Sequence, residues 1–154
     1  MVIRRATIDD FNGVLELQLQ LEDAECVFDS NLVKRFYSTK AGLEKLKKRF
    51  ENEDVVILVA VDDSRIIGFI DGSIPNNEAW YIEPIASIGH ICVDKDNRRR
   101  GIATKLLDSF IDIAKSKNFK SVRLNAFPKN KPAISFYTKK GFDVYSSCYS
   151  KDLK

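Results

Sequence analysis

The most informative stretch of this chain is residues 91–104, which read ICVDKDNRRRGIAT. The pattern indicates the end of a buried strand, then a polar turn, then an arginine-rich entry into a helix. The first turn of a helix has N–H groups without intrahelical partners, and the helix dipole adds partial positive charge there. Because Gly101 has no side chain and Ala103 has almost none, an anion can approach this backbone closely. The passage therefore predicts a site for a diphosphate.

This passage is neither of the two common nucleotide-binding loops, because the patterns Gly-x-x-x-x-Gly-Lys and Gly-x-Gly-x-x-Gly are both absent. Taken alone, it is equally compatible with a solvated basic turn. In that interpretation Arg98 to Arg100 face water, and Gly101 is only the residue that precedes a helix. The residues on either side decide between the two interpretations.

The periodicity of apolar residues outside this passage predicts the element order β-α-α-β-β-β-α-β-α-β. Strands are expected at residues 2–6, 55–61, 66–74, 85–93, 121–127 and 142–149. Helices are expected at about 11–21, 43–50 and 102–116, and from a cap at Asn130 to a stop at Gly141. This order predicts one α/β domain over residues 1–154, with a largely antiparallel first half and a strand-helix-strand crossover.

Composition and charge exclude several classes of protein. The chain has 25 Lys and Arg against 22 Asp and Glu, and a net charge of +3 is too small to indicate a nucleic-acid partner. Its longest apolar run, residues 55–61, has strand length, so we expect no membrane partner. Cys26, Cys92 and Cys148 have no metal-ligand spacing and cannot all pair, which predicts no metal site and a reduced, cytoplasmic location.

A second motif follows the predicted strand at residues 121–127. In order along the chain it consists of Asn130, Ala133, Phe136, Tyr137, Gly141 and Phe142. With it, the chain resembles the GNAT superfamily of N-acetyltransferases. The family's acyl-CoA loop, Gln/Arg-x-x-Gly-x-Gly/Ala, is matched by Arg98, Gly101 and Ala103. Its later pattern, Asn-x-x-Ala-x-x-Phe/Leu-Tyr-x-x-x-Gly-Phe, is matched by the six residues above, at the family's usual separation.

The resemblance implies an α+β fold with acetyl-CoA as cofactor. The central sheet would be mixed but mostly antiparallel, with about six to seven strands and about four flanking helices. Acetyl-CoA would lie in a cleft where the fourth and fifth strands splay apart. The implied cofactor residues are Ile91, Cys92, Val93, Arg98, Arg99, Arg100, Gly101, Ile102, Ala103, Thr104, Asn125, Asn130 and Phe136.

The resemblance also implies a mechanism, in which an amine attacks the thioester directly in a ternary complex. Tyr137 would be the general acid, although it could instead be a helix residue that packs on the last strand. Strand alternation predicts that His90 shares a face with Ile88 and Cys92, where a sheet-face histidine is expected more than a base. Glu83 could act through a water molecule, so the general base stays unassigned. Nothing in the sequence supplies a base beside Cys92, which disfavours a nucleophilic role.

The family places acceptor specificity in the first two helices. Here an acidic and aromatic group could form a pocket for a cationic amine, or only a solvated helix end. Its members are Glu22, Asp23, Glu25, Phe28, Asp29 and Tyr37, with Trp80 and Glu83 as further candidates. We expect acetyl transfer to a small-molecule amine such as a polyamine or amino compound. The alternatives are a protein N-terminal or lysine acetyltransferase and a non-catalytic acyl-CoA sensor, in either case a monomer or homodimer.

Overall fold

The structure is a computed structural model that describes residues 1–75, 83–151 and 153. Its strands are β1 Val2–Arg5, β2 Val55–Asp62, β3 Arg65–Ser73, β4 Ile85–Val93 and β5 Ser121–Arg123. Its α-helices are α1 Phe11–Glu25, α2 Lys40–Glu51, α3 Ile102–Ser116 and α4 Lys131–Lys139. Short 3-10 turns precede α1, α2 and α3, at Ile8–Asp10, Phe36–Ser38 and Lys95–Asn97.

The strands form one sheet in the order β1-β2-β3-β4-β5. The first four are antiparallel neighbours, and β5 is parallel to β4. The β2–β3 hairpin closes through Asp63 and Ser64, whose φ angles of 45° and 63° are left-handed. Such values suit the strand twist of a two-residue hairpin, so the predicted turn is confirmed.

Strands β4 and β5 stay paired only over a short length. Their register runs from Ile85 opposite Ser121 to Ser87 opposite Arg123, where β5 ends. Strand β4 continues to Val93, so the two strands part beyond Ser87. The predicted separation between the fourth and fifth strands is therefore confirmed, and we call the gap between β4 beyond Ser87 and the chain beyond Arg123 the splay.

Each face of the sheet carries its own core. Below α3, the core contains fully buried aliphatic and aromatic residues, including Leu106, Leu107 and Phe110. On the face covered by α1 and α2, the core is centred on Val14 and Phe69. Helix α3 buries one face because its apolar residues repeat at helical spacing. No helix among the described residues is long and apolar enough to cross a membrane.

The strand count differs from the prediction, because five strands form among the described residues instead of six to seven. The strand predicted at 142–149 is absent, and Val144, Tyr145 and Tyr149 stay 88%, 71% and 91% exposed. Strand β5 ends at Arg123 and does not reach residue 127. Aromatic and β-branched residues favour a strand, but a strand forms only where a partner strand and a buried face are available.

Candidate active site

The passage from β4 into α3 forms an open backbone corner. Arg99 and Gly101 have φ angles of 61° and 74°, and α3 begins at the next residue, Ile102. A Cβ atom added to Gly101 would meet no atom within 4 Å, so the space beside this corner is free. Unpaired N–H groups of the first helical turn lie at the same place. The corner can therefore admit a phosphate, as an acyl-CoA site requires.

The arginines around this corner differ in their partners. Arg98 Nε donates a hydrogen bond to the Val93 carbonyl oxygen at 3.2 Å. Arg100 donates to Asn97 Oδ1 at 2.5 Å and to Asp62 Oδ2 at 3.2 Å. All three arginines of residues 98–100 are exposed. They add positive charge at the corner, and that of Arg100 is partly balanced by Asp62.

The edge of β4 that faces away from β3 is also available to a ligand. Within the described residues, this edge has no strand partner beyond Ser87, because β5 has ended. Backbone N–H and C=O groups on an open strand edge need partners. The predicted residues Ile91, Cys92 and Val93 lie on this stretch, and an extended amide-containing arm can satisfy their backbone groups. The open edge and the corner together fit the shape and chemistry of acetyl-CoA.

A bulge at Gly89 corrects the predicted faces of β4. Asp71 of β3 lies opposite His90, but the next residue, Gly72, lies opposite Ile88, so Gly89 is an extra residue. Ile88 therefore packs in the core below α3, while Cys92 packs in the core under α1 and α2. The prediction that Ile88 shares a face with His90 is wrong, because a bulge shifts alternation by one residue.

The half-buried side chain of His90 belongs to a polar cluster around the buried carboxylate of Asp71. Its Nδ1 lies 3.0 Å from Asp71 Oδ1 and 3.1 Å from Arg49 Nη2, and Arg49 forms an ion pair with Asp71. Arg49 Nη1 lies 3.5 Å from both the Tyr37 hydroxyl and Gln18 Oε1. Burial, together with the Arg49 charge, lowers the pKa of His90 to about 4. The imidazole is therefore neutral at pH 7, and its contacts favour the sheet-face interpretation of this residue.

Tyr137 lies on α4 with its ring centroid 5.3 Å from that of Phe136 and 5.8 Å from that of Phe142. Burial raises the pKa of the Tyr137 phenol to about 12. The phenol thus keeps its proton throughout the physiological range. These contacts fit a packing role, while the retained proton fits the predicted general acid.

Cys92 is unsuited to act as a nucleophile. Burial raises the pKa of its thiol to about 11, so the thiolate is scarce at neutral pH. Its Sγ lies 3.9 Å from the Val93 carbonyl oxygen. The side chain behaves as a small apolar group of the core, in agreement with the sequence-based expectation.

The predicted acidic group near α1 is largely engaged by the protein itself. Glu22 is buried and accepts a hydrogen bond from the Tyr37 backbone N–H at 3.3 Å. Asp23 pairs with Arg35 at 3.2 Å on an exposed surface. Tyr37 is buried in the core. These contacts give Glu22 and Tyr37 a structural role between α1 and α2.

Two other acceptor candidates lie far apart. The Phe28 ring stacks on Phe127 with centroids 6.0 Å apart, which links the end of α1 to the chain beyond β5. Glu83 is exposed before β4, at the end where β4 and β5 still pair. Glu83 precedes β4 by two residues, and the strand from Ile85 to His90 alone spans about 15 Å. The structure therefore does not bring Glu83 to the splay, and Trp80 lies outside the described residues.

The remaining predicted cofactor residues follow β5 and begin α4. Asn125 is exposed just beyond β5. Asn130 Oδ1 accepts a hydrogen bond from the Ala133 N–H at 3.2 Å, so the predicted helix cap is confirmed. Phe136 packs against the core below α3. Asn125 and the amide nitrogen of Asn130 are thus placed after the strand that forms one wall of the splay.

Sequence reasoning gave no separate role to Glu25, the last residue of α1. This side chain is half-buried, and burial raises the pKa of its carboxyl. It lies close enough to His90, Cys92 and Tyr137 for its charge to affect the pKa of each. The spacing of Glu25 from Gln18 places both on one face of α1, and that spacing is the signal that could have found it.

Comparison with known proteins decides the family. A model described as the Acetyltransferase (GNAT) family matches residues 20–142, from α1 to the end of the second motif. The chain belongs to this family. Acetyl-CoA is the cofactor of GNAT acetyltransferases, and the open corner and β4 edge of this GNAT domain fit it.

Individual relatives agree with this assignment. An uncharacterized N-acetyltransferase of Methanocaldococcus jannaschii is 34% identical over 143 residues, 92% of this GNAT chain and 60% of the relative. The chain thus spans about 60% of the length of the first curated relatives that it matches. The spermidine N(1)-acetyltransferase of Thermoplasma acidophilum is 25% identical over 150 residues, 92% of this chain and 88% of the relative.

A solved structure shares the fold. The crystal structure of a mutant Bacillus halodurans protein matches with a TM-score of 0.87 and 22% identity, and the match covers 100% of both chains. At this identity the likeness concerns the fold alone. It therefore supports the mixed α/β architecture and leaves the chemistry to the residues of this chain.

Proposed function

We propose that this chain is an acetyl-CoA-dependent N-acetyltransferase that acts on the primary amine of a small molecule. One observation carries the proposal: an open backbone corner at Gly101 adjoins a strand edge that has lost its neighbour beyond Ser87. The corner suits a diphosphate, and the edge suits an extended amide-containing arm. When bound, acetyl-CoA supplies an activated thioester whose acetyl group passes to the amine.

The residues of the corner and the edge bind and orient. Backbone N–H groups of residues 102–104 and the exposed guanidinium groups of residues 98–100 bind the two phosphates. The backbone of residues 91–93 binds the arm. Asn125 and the Asn130 amide nitrogen lie on the opposite wall as further hydrogen-bond donors, and Phe136 supplies apolar contact. Such orientation of two reactants is worth about 7–11 kcal/mol of the barrier.

Tyr137 holds the proton that the leaving sulfur needs. A phenol with a pKa of about 12 is protonated at every pH where the protein works. Donation from its oxygen to the sulfur avoids release of a free thiolate, and such acid catalysis contributes about 10²- to 10⁴-fold. We assign Tyr137 as the general acid on this basis.

A small cationic amine is the acceptor that we favour. The relative from Thermoplasma acidophilum, which matches over most of its length, is named a spermidine N(1)-acetyltransferase. In this chain, the half-buried carboxylate of Glu25 lies close to the proposed general acid and can attract a cation. Polyamines and other amino compounds carry such a charge at neutral pH.

The experiment is a thiol-release assay with acetyl-CoA and a panel of polyamines, amino acids, aminoglycosides and peptide N-termini. We expect release of CoA thiol above the amine-free rate with at least one small amine. Release with peptides alone would instead assign the chain to protein acetylation. Acetyl-CoA binding without thiol release from any amine would make it an acyl-CoA sensor and would contradict the proposal.

A further inference from the structure

One face of α1 carries polar side chains into the protein. Gln18, Glu22 and Glu25 are spaced four and three residues apart, so they project from the same side of the helix. Gln18 and Glu22 are buried, and Glu25 is half-buried at the end of the helix. Polar side chains on an inward face require partners or a function. Gln18 and Glu22 have partners within the protein, at Arg49 and the Tyr37 N–H.

Two contacts fix where α1 lies relative to β4. Gln20 Nε2 donates to Asp94 Oδ1 at 3.1 Å, which ties α1 to the residue that follows β4. Gln18 contacts Arg49, whose guanidinium lies 3.1 Å from His90 on β4. Helix α1 therefore lies along the part of β4 that has parted from β5. Its last turn continues towards the splay.

The end of α1 also reaches the opposite wall of the splay. The Glu25 carbonyl oxygen accepts a hydrogen bond from the Phe28 N–H at 2.8 Å, which closes the turn after the helix. The Phe28 ring then stacks on Phe127, beyond β5, with centroids 6.0 Å apart. Glu25 thus lies on the segment that connects the β4 side to the β5 side. This position accounts for its electrostatic influence on both His90 and Tyr137.

Most ionisable groups that act on Glu25 or on its neighbours Glu22 and His90 are neutral or already paired. These groups are Glu22 and Asp23 on α1, Arg35, Lys45 and Arg49 on or before α2, Asp71 on β3, His90 and Cys92 on β4, and Tyr137 on α4. Arg49 pairs with Asp71, and Arg35 pairs with Asp23. His90 is neutral, and Cys92 and Tyr137 keep their protons.

We propose that the Glu25 carboxylate binds the ammonium group of the acceptor and accepts a proton from its nitrogen. This inference rests on the acetyl transfer proposed above. An alkylammonium has a pKa near 10 and must lose a proton before it can attack. Burial raises the pKa of Glu25, which makes its carboxylate a stronger base than an exposed one.

The proton balance is complete with the residues named. The ammonium nitrogen loses two protons as the new C–N bond forms and the C–S bond breaks. Glu25 accepts one and releases it to water. Tyr137 gives its phenolic proton to the sulfur and recovers a proton from the nitrogen, directly or through water. One proton in total is released per amide formed.

The test compares Glu25→Gln with the matched control Glu16→Gln, which makes the same change on the exposed side of the same helix. We expect kcat/KM for the best amine of the panel to fall about 10²- to 10⁴-fold in Glu25→Gln and to stay unchanged in the control. In the wild-type protein, kcat/KM should decline at acid pH as Glu25 becomes protonated. That acid limb should be absent from Glu25→Gln.

The dissociation constant for acetyl-CoA and the melting temperature complete the test, and both should be unchanged in Glu25→Gln. Wild-type kcat/KM with the same acid limb in Glu25→Gln would overturn the inference and leave acetyl transfer standing. A parallel loss of acetyl-CoA affinity or of folding would assign Glu25 a structural role and would also overturn it. A wild-type protein that releases no thiol with any amine would overturn the proposed function itself.

Discussion

The two sides of β4 are built on different principles. On the α3 side, Leu106, Leu107 and Phe110 form an apolar core, and the corner at Gly101 and the open edge of β4 offer a ligand mainly backbone groups. On the α1 and α2 side, the ion pair of Arg49 and Asp71 lies inside the protein. Backbone geometry can be reproduced by many sequences, while a polar cluster depends on individual side chains. A short motif can therefore identify the cofactor site, whereas the acceptor site has no such motif.

The largest effect is expected on the backbone side, from Gly101→Glu. The new carboxylate would occupy the open space at the corner and repel phosphate, so acetyl-CoA binding should fall below detection in calorimetry. Gly101→Ala is the matched control, because it adds only a methyl group and the strain of a left-handed residue, about 1–2 kcal/mol. Wild-type affinity in Gly101→Glu would show that this corner does not hold the diphosphate.

Tyr137→Phe tests the phenol that we propose as the general acid. Loss of the phenolic proton should lower kcat about 10²- to 10⁴-fold, with the dissociation constant for acetyl-CoA nearly unchanged. Tyr149→Phe removes a hydroxyl from an exposed ring and serves as the control in the same thiol-release assay. Undiminished turnover in Tyr137→Phe would leave this residue a packing role only.

Phe110→Ala tests the apolar core on the α3 side, because it removes a large buried side chain. The ring is fully buried and lies where a Cβ atom on Gly72 would collide with it, so its removal leaves a cavity. We expect the free energy of unfolding to fall by about 3–5 kcal/mol, measured by urea titration at pH 7. The exposed substitution Val144→Ala should change it by less than about 0.5 kcal/mol. Equal losses in both variants would contradict the location of the core.

The smallest expected effect is a pH dependence of the free energy of unfolding that arises from His90, beside Arg49 and Asp71. The folded protein protonates His90 only near pH 4, whereas the unfolded chain does so near 6.5. The unfolded state therefore binds more protons between these values, and the free energy of unfolding falls as the pH is lowered through that window. Carboxyl groups contribute equally to the wild type and to His90→Asn. The free energies of unfolding of the two proteins should therefore diverge in this window through His90 alone, as measured by urea titration. Parallel curves would show that His90 is not held neutral.

Much of the fold could be predicted from local patterns. Helix α3 spans the residues expected from its periodicity, because five buried residues repeat on one face. The hairpin turn at Asp63 and Ser64 and the cap at Asn130 also follow from local chemistry. The absent strand at 142–149 shows the limit of this reasoning. Its aromatic and apolar residues suit a strand, but strand formation depends on a partner edge that local pattern does not describe.

The candidate site, like the fold, could be predicted only where it depends on local sequence. Gly101 and the start of α3 could be predicted, because the chemistry of a helix entry is local. The engagement of Glu22 by the Tyr37 N–H and the convergence of Glu25 with Tyr137 could not. Both depend on how α1 lies against the sheet and against the segment after β5. That arrangement is set by tertiary packing between elements far apart in the chain.

The pairing of β4 with β3, and not the number of residues in β4, decides what each compartment contains. Ile88 lies opposite Gly72 and His90 lies opposite Asp71, so these two side chains already face opposite sides of the sheet, as direct neighbours would. Deletion of Gly89 would therefore remove the local bend of the strand and leave the linings of both compartments as they are. Insertion of a residue that the pairing did not absorb would instead exchange them.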